Sequence, residues 1–212
     1  MNIFDNSGEL QKDAVDVLYE LGNMGVATAV MTIGNIRGIE IHVDMPNVIT
    51  VTNNIFSEIN FEPEQVMIAV TTKLDNTLKG SILFLLSKKF IRNTLYQMTD
   101  VMYSDEEMLK DEESVSAIQE IINYMTAGYA KVIGAYLNEP IYISSAKIGM
   151  DKAKNILHDM IENEDRKTDK IACVNTMFSI VDEDGNKTDE TGQVLIFPHE
   201  QSIKKFIDIM EK

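Results

Sequence analysis

The chain has 212 residues, of which 44% are hydrophobic and 25% are charged. At this length folding buries about 70% of the surface that the unfolded chain exposes, so neither disulfides nor a metal is needed for stability. The net charge of −15 repels phosphate backbones and anionic lipids, which argues against nucleic acid and membrane surfaces as partners. The acidity favours a basic face on a protein partner, with solubility alone as the alternative explanation.

Cysteine usage and the N-terminus indicate the compartment. The single cysteine, Cys173, lies in an apolar run and cannot form an internal disulfide, so we expect a buried thiol in a reducing environment. Residues 1–7 lack the apolar core of a signal peptide. No stretch approaches the roughly 18 apolar residues that cross a bilayer. We therefore expect a cytoplasmic protein.

The first half of the chain predicts a long helix followed by strands. The helix spans residues 9–34, and Asn6 with Glu9 resembles a capping box at its start. The extended segments that follow are rich in branched apolar residues, and the last two predict a hairpin around Asp75 and Asn76. In chain order these elements are strands 39–44, 48–52, 66–74 and 78–87 and helix 89–99.

The second half repeats a similar order. Its long helix spans residues 105–137, with Ser104 and Glu107 as a start signal and Pro140 just beyond its end. The acidic stretch at the start of this helix joins the two halves. In chain order the remaining elements are strand 141–148, helix 152–162, a hairpin of strands 171–181 and 193–197 around Asp184 and Gly185, and helix 201–210.

The two long helices match directly when the first is shifted by 100 residues. Such internal repetition predicts an α/β (α+β) fold, one domain over residues 1–212, built of two pseudo-symmetric halves. We place the halves at about 8–100 and 104–212, each a long helix plus antiparallel strands. The matching pairs include Leu18 and Ile118, Glu20 and Glu120, Leu21 and Ile121, Asn23 and Asn123, Ala27 and Ala127, and Gly34 and Gly134.

Two Glu-x-x-Asn pairs on these helices are the candidate site residues: Glu20 with Asn23, and Glu120 with Asn123. Residues three apart on a helix share a face. On a helical wheel both pairs fall off the apolar stripe, so we expect them at the surface. The repetition of one pair on one face of two equivalent helices is the specific part of this signal.

The bare spacing is a weak signal. Glu183 and Asn186 also match it, but they lie in a predicted turn rather than on a helix. Two solvated helix faces are the alternative explanation, since most helices carry one. Against that explanation, Ala27 and Ala127 leave room beside each pair, and asparagine is only a middling helix former.

The pairs suggest a specific chemistry. An asparagine amide does not act as a base near neutral pH, but it can orient a water molecule. Phosphoryl transfer through a loose transition state mainly needs such a positioned, in-line nucleophile. A glutamate can accept charge-assisted hydrogen bonds from a lysine of a partner. The pairs therefore suit a protein that reaches into the active site of another protein.

The residues around the first pair resemble a known family. The run Glu-Leu-Gly-Asn-Met-Gly at 20–25 resembles the E-I-G-N-I-G signature of the CheC, CheX and FliY chemotaxis phosphatases, and 120–124 resembles it less closely. Residues 79–84 resemble a hairpin strand of that family. Two motifs in one chain without a long extension resemble CheC, whereas CheX carries one motif and FliY carries additional flagellar-switch segments.

This resemblance implies a CheC-like fold and an aspartyl-phosphate phosphatase. Asn23 and Asn123 are then expected to orient the attacking water, and Glu20 and Glu120 to engage the active-site lysine of the phosphorylated response regulator CheY. The regulator supplies the phospho-aspartate and a bound Mg²⁺. The chain needs no cofactor or metal of its own.

Two departures from the family pattern concern the second half. Position 122 is Ile where the family usually has Gly, so we expect a side chain that crowds a partner or a neighbouring helix. The family also binds the receptor deamidase CheD through a helix that corresponds to 151–161 here, where Lys152 and Lys154 replace small residues. An adaptor that binds CheD with little phosphatase activity is the alternative function, and a flagellar-switch component is a third.

Other functional classes lack support in the sequence. His42, His158 and His199 are scattered, and no two of them have metal-ligand spacing. Neither a Walker loop nor a G-x-G-x-x-G loop is present, so nucleotide binding is not indicated.

Overall fold

The structure is a computed structural model that describes residues 2–51, 59, 62–163 and 170–210. Over these ranges it contains five helices and eight strands, one strand more than predicted and otherwise in the predicted order. No helix in the described part of the chain is long and apolar enough to cross a membrane. The elements are α1 (Lys12–Arg37), β1 (Ile41–Val43), β2 (Asn47–Val51), β3 (Val66–Asn76), β4 (Gly80–Ser87), α2 (Lys88–Thr99), α3 (Glu112–Leu137), β5 (Ile141–Ile143), β6 (Lys147–Lys152), α4 (Ala153–Asn163), β7 (Ile171–Val181), β8 (Lys187–Pro198) and α5 (Glu200–Met210).

All eight strands form one antiparallel sheet whose order is symmetric. The order is β1-β7-β8-β4-β3-β5, with β2 also paired to β7 and β6 to β3. The equivalent strands of the two halves are β1 and β5, β3 and β7, and β4 and β8. When each is exchanged for its equivalent, the order becomes β5-β3-β4-β8-β7-β1, which is the same order read from the other edge of the sheet. The two short strands of each half therefore complete the hairpin of the other half. The limits 8–100 and 104–212 of the two repeats remain a prediction.

The sheet separates two hydrophobic cores, because alternate residues of its strands point to opposite faces. Ile68 and Val70 face α1, α2, α3 and α5, whereas Met67 and Ala69 belong to the core under α4. Every residue of the central strand β4 is buried. Cys173, the predicted buried thiol, lies in the smaller core, and burial raises the pKa of its thiol.

Helices α1 and α3 pack against each other at small residues. A Cβ built on Gly25 would lie 1.9 Å from ring atom Cε2 of Tyr129, so only glycine permits this approach. A Cβ on Gly128 would lie 3.5 Å from Oγ1 of Thr32. Both helices end at a left-handed residue, Gly38 with φ 63° and Asn138 with φ 52°, as C-caps commonly do.

The hydroxyl of Tyr129 provides a test of this packing. Tyr129 is fully buried, its burial raises the pKa of the phenol, and its hydroxyl has no hydrogen-bond partner within the described residues. An unsatisfied buried hydroxyl costs free energy. We expect Tyr129→Phe to raise the free energy of unfolding by about 1 kcal/mol in urea titrations. A loss of stability would mean that the hydroxyl has a partner.

The predicted start of α1 is wrong. Asn6 and Glu9 do not form a capping box, and the helix begins at Lys12 after Gln11, whose side chain makes no capping hydrogen bond. Instead the carboxylate of Asp5 accepts hydrogen bonds from the backbone N–H groups of Ser7 and Glu9, at 2.8 and 3.0 Å. The polar residues before α1 therefore stabilise a turn rather than the helix.

The predicted start of α3 is also wrong, although its start signal forms. Ser104 and Glu107 exchange the two hydrogen bonds of a capping box, at 2.9 and 3.3 Å. That box closes a run of turns, and α3 begins only at Glu112, where the Asp111 carboxylate accepts from the N–H of Ser114 at 2.9 Å. A capping box marks a turn of helix-like backbone and does not specify how far the helix continues.

Three strand predictions need smaller corrections. The last strand, predicted over 193–197, begins six residues earlier, because β8 spans Lys187–Pro198. The strand predicted over 141–148 is two strands, β5 and β6, separated by a loop that Ser144, Ser145 and Ala146 form. Asp75 and Asn76 end β3, so the first hairpin turns one to three residues later than predicted. Residue 52, the predicted end of the second strand, lies outside the described residues.

An exposed ion-pair cluster at the start of α4 predicts a pH response. Glu64 contacts the ammonium groups of Lys152, at 2.8 Å, and Lys154. These hydrogen bonds lower the pKa of Glu64 from 4.5 to about 2. A depressed carboxyl pKa stabilises the fold above pH 4.5, and that contribution is lost as the pH falls towards 2.

Titration of the Glu64 carboxyl carbon by NMR tests this directly. We expect a midpoint near pH 2 in the native protein and a return towards 4.5 in Lys152→Ala/Lys154→Ala. The effect on overall stability should be small, because exposed ion pairs are screened. Equal midpoints in the two proteins would contradict the assignment.

Candidate functional site

The first candidate pair lies on the outer side of α1. Glu20 and Asn23 are half-buried, while the neighbouring Leu21, Gly22 and Gly25 are buried. The alternation follows from the helical repeat, which turns residues 20 and 23 away from the core and 21 and 25 towards it. The structure thus places the two side chains on one accessible helix face.

The second pair is more open. Glu120 and Asn123 are exposed on α3, as are Ser116 and Ala127 on the same face. The hydroxyl of Tyr124 donates a hydrogen bond of 2.9 Å to the Glu120 carboxylate, which raises the pKa of Tyr124. This contact orients the carboxylate along the helix. The i, i+4 spacing of Glu120 and Tyr124 was the sequence signal for it, and the sequence-based prediction missed it.

The third pair with this spacing lies elsewhere. Glu183 and Asn186 occupy the exposed turn between β7 and β8, where the N–H of Asn186 donates to Asp182 at 2.8 Å. This turn presents no helix face. The structure therefore agrees with leaving this pair out of the candidate site.

Side chains from α1 and the β1–β2 loop cover the surface beside the first pair. The hydroxyl of Tyr19 lies 3.6 Å from the sulfur of Met45, a residue that is 73% exposed. Asp44 in the same loop pairs with Lys187 at 2.7 Å and with His42 at 3.0 Å. The surface beside the first pair thus carries a hydrogen bond from the Tyr19 hydroxyl to the Met45 sulfur, next to a charged cluster.

A cleft of about 540 Å³ opens beside the second pair. It lies between α3 and the β5–β6 loop, and Asn123 forms part of its wall. The sequence-based prediction did not find this cleft, because it depends on how the loop docks against the helix. Its lining residues are Gln119, Asn123, Thr126, Ile143, Ser144, Ser145 and Ala146.

Of the two expectations for Ile122, crowding of a partner is wrong, and the side chain packs within the protein instead. Ile122 is completely buried and belongs to the main core, so it does not reach the surface. At the equivalent position of α1, a Cβ on Gly22 would lie 2.7 Å from both Pro46 and Val174. The second half has the smaller Ala146 where the first has Pro46, which leaves room for the larger residue. The larger residue at 122 and the smaller residue at 146 therefore compensate for each other in the packing of the core.

The chemical capacity of the two pairs is limited to binding and positioning. Each offers a carboxylate acceptor and an amide that can both donate and accept. In the part of the chain that the structure describes, no group of three or more His, Cys, Asp or Glu side chains has the geometry to hold a metal ion.

No protein-family model matches the chain. Comparison with solved structures found FliY from Thermotoga maritima, with 21% identity, a TM-score of 0.69 and coverage of 95% of this chain and 98% of that one. It also found a CheX–CheY–BeF₃–Mg²⁺ complex from Borrelia burgdorferi, with 15% identity, a TM-score of 0.51 and coverage of 90% of this chain and 100% of that one. A FliM–SpeE complex from H. pylori has 10% identity, a TM-score of 0.59 and coverage of 96% of this chain and 97% of that one. The chain therefore has the CheC-like fold that the resemblance implied, the fold of the CheX and FliY proteins.

Proposed function

We propose that the protein is a phosphatase that hydrolyses the aspartyl phosphate of a CheY-like chemotaxis response regulator. The observation that carries this proposal is the presence of two Glu-x-x-Asn pairs, each on the accessible face of an equivalent helix, in a CheC-like fold. The complex of the similarly folded CheX with CheY supports the choice of partner.

In the proposed reaction Asn23 or Asn123 holds a water molecule in line with the phosphorus–oxygen bond of the regulator. The water oxygen attacks phosphorus, the bond to the aspartyl oxygen breaks, and inorganic phosphate and the free carboxylate are formed. The water proton passes to the departing phosphate. The amide lowers the barrier by orienting the nucleophile, since no strong base is required for a loose transition state.

Glu20 and Glu120 are the proposed docking groups. Each accepts a charge-assisted hydrogen bond from the active-site lysine of the regulator, which places the neighbouring asparagine over the phosphoryl group. The net charge of −15 favours approach to a basic face. The regulator contributes the Mg²⁺ that stabilises the developing charge, so the protein itself supplies only position.

A decay assay tests this proposal. A CheY-like regulator is phosphorylated with a small-molecule phosphodonor, and loss of phosphate is followed with and without this protein at equal Mg²⁺. We expect faster decay that saturates with regulator concentration. Tight binding of CheD without any acceleration of phosphate loss would favour the adaptor function instead.

CheD binding through residues 151–161 remains a prediction. The two lysines that depart from the family pattern there, Lys152 and Lys154, are both engaged by Glu64. A pull-down with CheD, compared between the native protein and Lys152→Ala/Lys154→Ala, measures whether these residues hinder such binding.

A further inference from the structure

The cleft beside Asn123 has a rigid wall on its loop side. The backbone N–H of Ser144 donates to the carbonyl of Lys73, and the backbone N–H of Lys73 donates to the Ser144 hydroxyl, both at 2.9 Å. The hydroxyl of Thr72 donates to the carbonyl of Ser144 at 2.9 Å. Three hydrogen bonds thus hold the β5–β6 loop against β3, so the cleft is formed before a ligand arrives.

The interior of the cleft carries free hydrogen-bonding groups. Among the described residues no hydrogen bond is made by the side chains of Gln119, Asn123 or Ser145, whereas Thr126 donates to the carbonyl of Ile122 at 2.7 Å. The open groups are two amides and one hydroxyl, all uncharged and each able to donate and accept. Their chemistry matches peptide groups and neutral polar side chains.

The first half has different residues at the same positions. Shifting by 100 residues replaces Gln119 with Tyr19 and Ser145 with Met45. Those two side chains contact each other across the equivalent position, 3.6 Å apart. The two halves therefore present different surfaces beside the same Glu-x-x-Asn pair.

We propose that this cleft is a specificity site, which binds an uncharged, hydrogen-bonding loop next to the phosphoryl group of the regulator. Asn123 belongs both to the cleft wall and to the pair, so a partner whose phosphoryl group meets Asn123 extends directly into the cleft. This inference rests on the proposed function and adds that the two halves recognise their partner differently. Only the half that carries the second pair recognises this loop of the regulator.

The test fills the cleft with the residues of the first half. In a Glu20→Ala/Asn23→Ala background, where only the second pair can dock the regulator, Gln119→Tyr/Ser145→Met should raise the KM for the phosphorylated regulator about tenfold, the scale of two lost hydrogen bonds, with kcat changed less than about twofold. Gln97→Tyr, on the exposed surface of α2, is the matched control and should leave both constants unchanged. An unchanged KM in the filled variant would overturn the inference.

A binding measurement separates this inference from the phosphatase proposal. The regulator is loaded with Mg²⁺ and beryllofluoride, which mimics the phosphoryl group, and its Kd for each variant is measured by calorimetry. A Kd about tenfold weaker on filling the cleft supports the specificity site even if no variant accelerates phosphate loss. If phosphate loss is accelerated and the Kd is the same with the open and the filled cleft, the phosphatase proposal stands and the specificity site is rejected.

Discussion

Replacing both Asn23 and Asn123 with alanine is expected to lower the catalysed loss of phosphate about 100-fold. That is the scale on which removal of one positioned hydrogen-bonding group reduces a rate. The side chains are half-buried and exposed, respectively, so their removal should leave the fold intact. Decay of the phosphorylated regulator, measured at saturating regulator concentration, gives the turnover directly.

The single variants distinguish the contributions of the two pairs. If both pairs act independently, Asn23→Ala and Asn123→Ala each keep about half of the activity, because the other pair continues to work. Asn35→Ala is the control, since Asn35 is exposed on α1 about 18 Å further along the helix from Asn23. A double variant with native turnover would show that neither asparagine orients the water.

Gly80→Ala is expected to destabilise the protein by about 3 kcal/mol. Gly80 begins β4 with φ 154°, a conformation that residues with a side chain rarely adopt. A Cβ there would lie 2.4 Å from the backbone oxygen of Phe197 in the neighbouring strand β8. A backbone atom of a central strand does not move aside as a flexible side chain does, so both strain and overpacking result.

Gly149→Ala in the same sheet provides the control. A Cβ at Gly149, in β6, would meet no atom within 4 Å, so this change should be neutral or slightly stabilising because alanine reduces the entropy of the unfolded chain. Urea unfolding followed by circular dichroism compares the two variants. Equal midpoints would contradict the steric explanation for Gly80.

Local patterns in the sequence predicted the order of the elements and the exposed faces of the two long helices well. The 3.6-residue repeat of Leu18 and Leu21 identified the buried side of α1 and turned Glu20 and Asn23 outward. A shift of 100 residues predicted the same for α3, where Glu120 and Asn123 are exposed. These features depend on neighbours within two helical turns, which is the range over which sequence periodicity is informative.

The ends of elements were predicted less well, because several structures compete for the same polar residues. Ser104 and Glu107 formed the expected pair of hydrogen bonds but closed a turn, and Asp111 became the true cap of α3. Between Ser104 and Glu107, the carboxylate of Asp105 forms ion pairs with Lys88 and Arg92 of α2. These contacts between distant residues determine where the helix begins.

The sequence by itself determined the duplication, the helix faces and the identity of the four candidate residues, since each follows from spacing along one chain segment. The tertiary structure alone decided three other features: the exchange of strands between halves, the burial of Ile122 and the difference between the open cleft at Asn123 and the Tyr19–Met45 contact. Each of these depends on residues that are far apart in sequence and meet only when the sheet assembles, and local periodicity carries no information about such meetings.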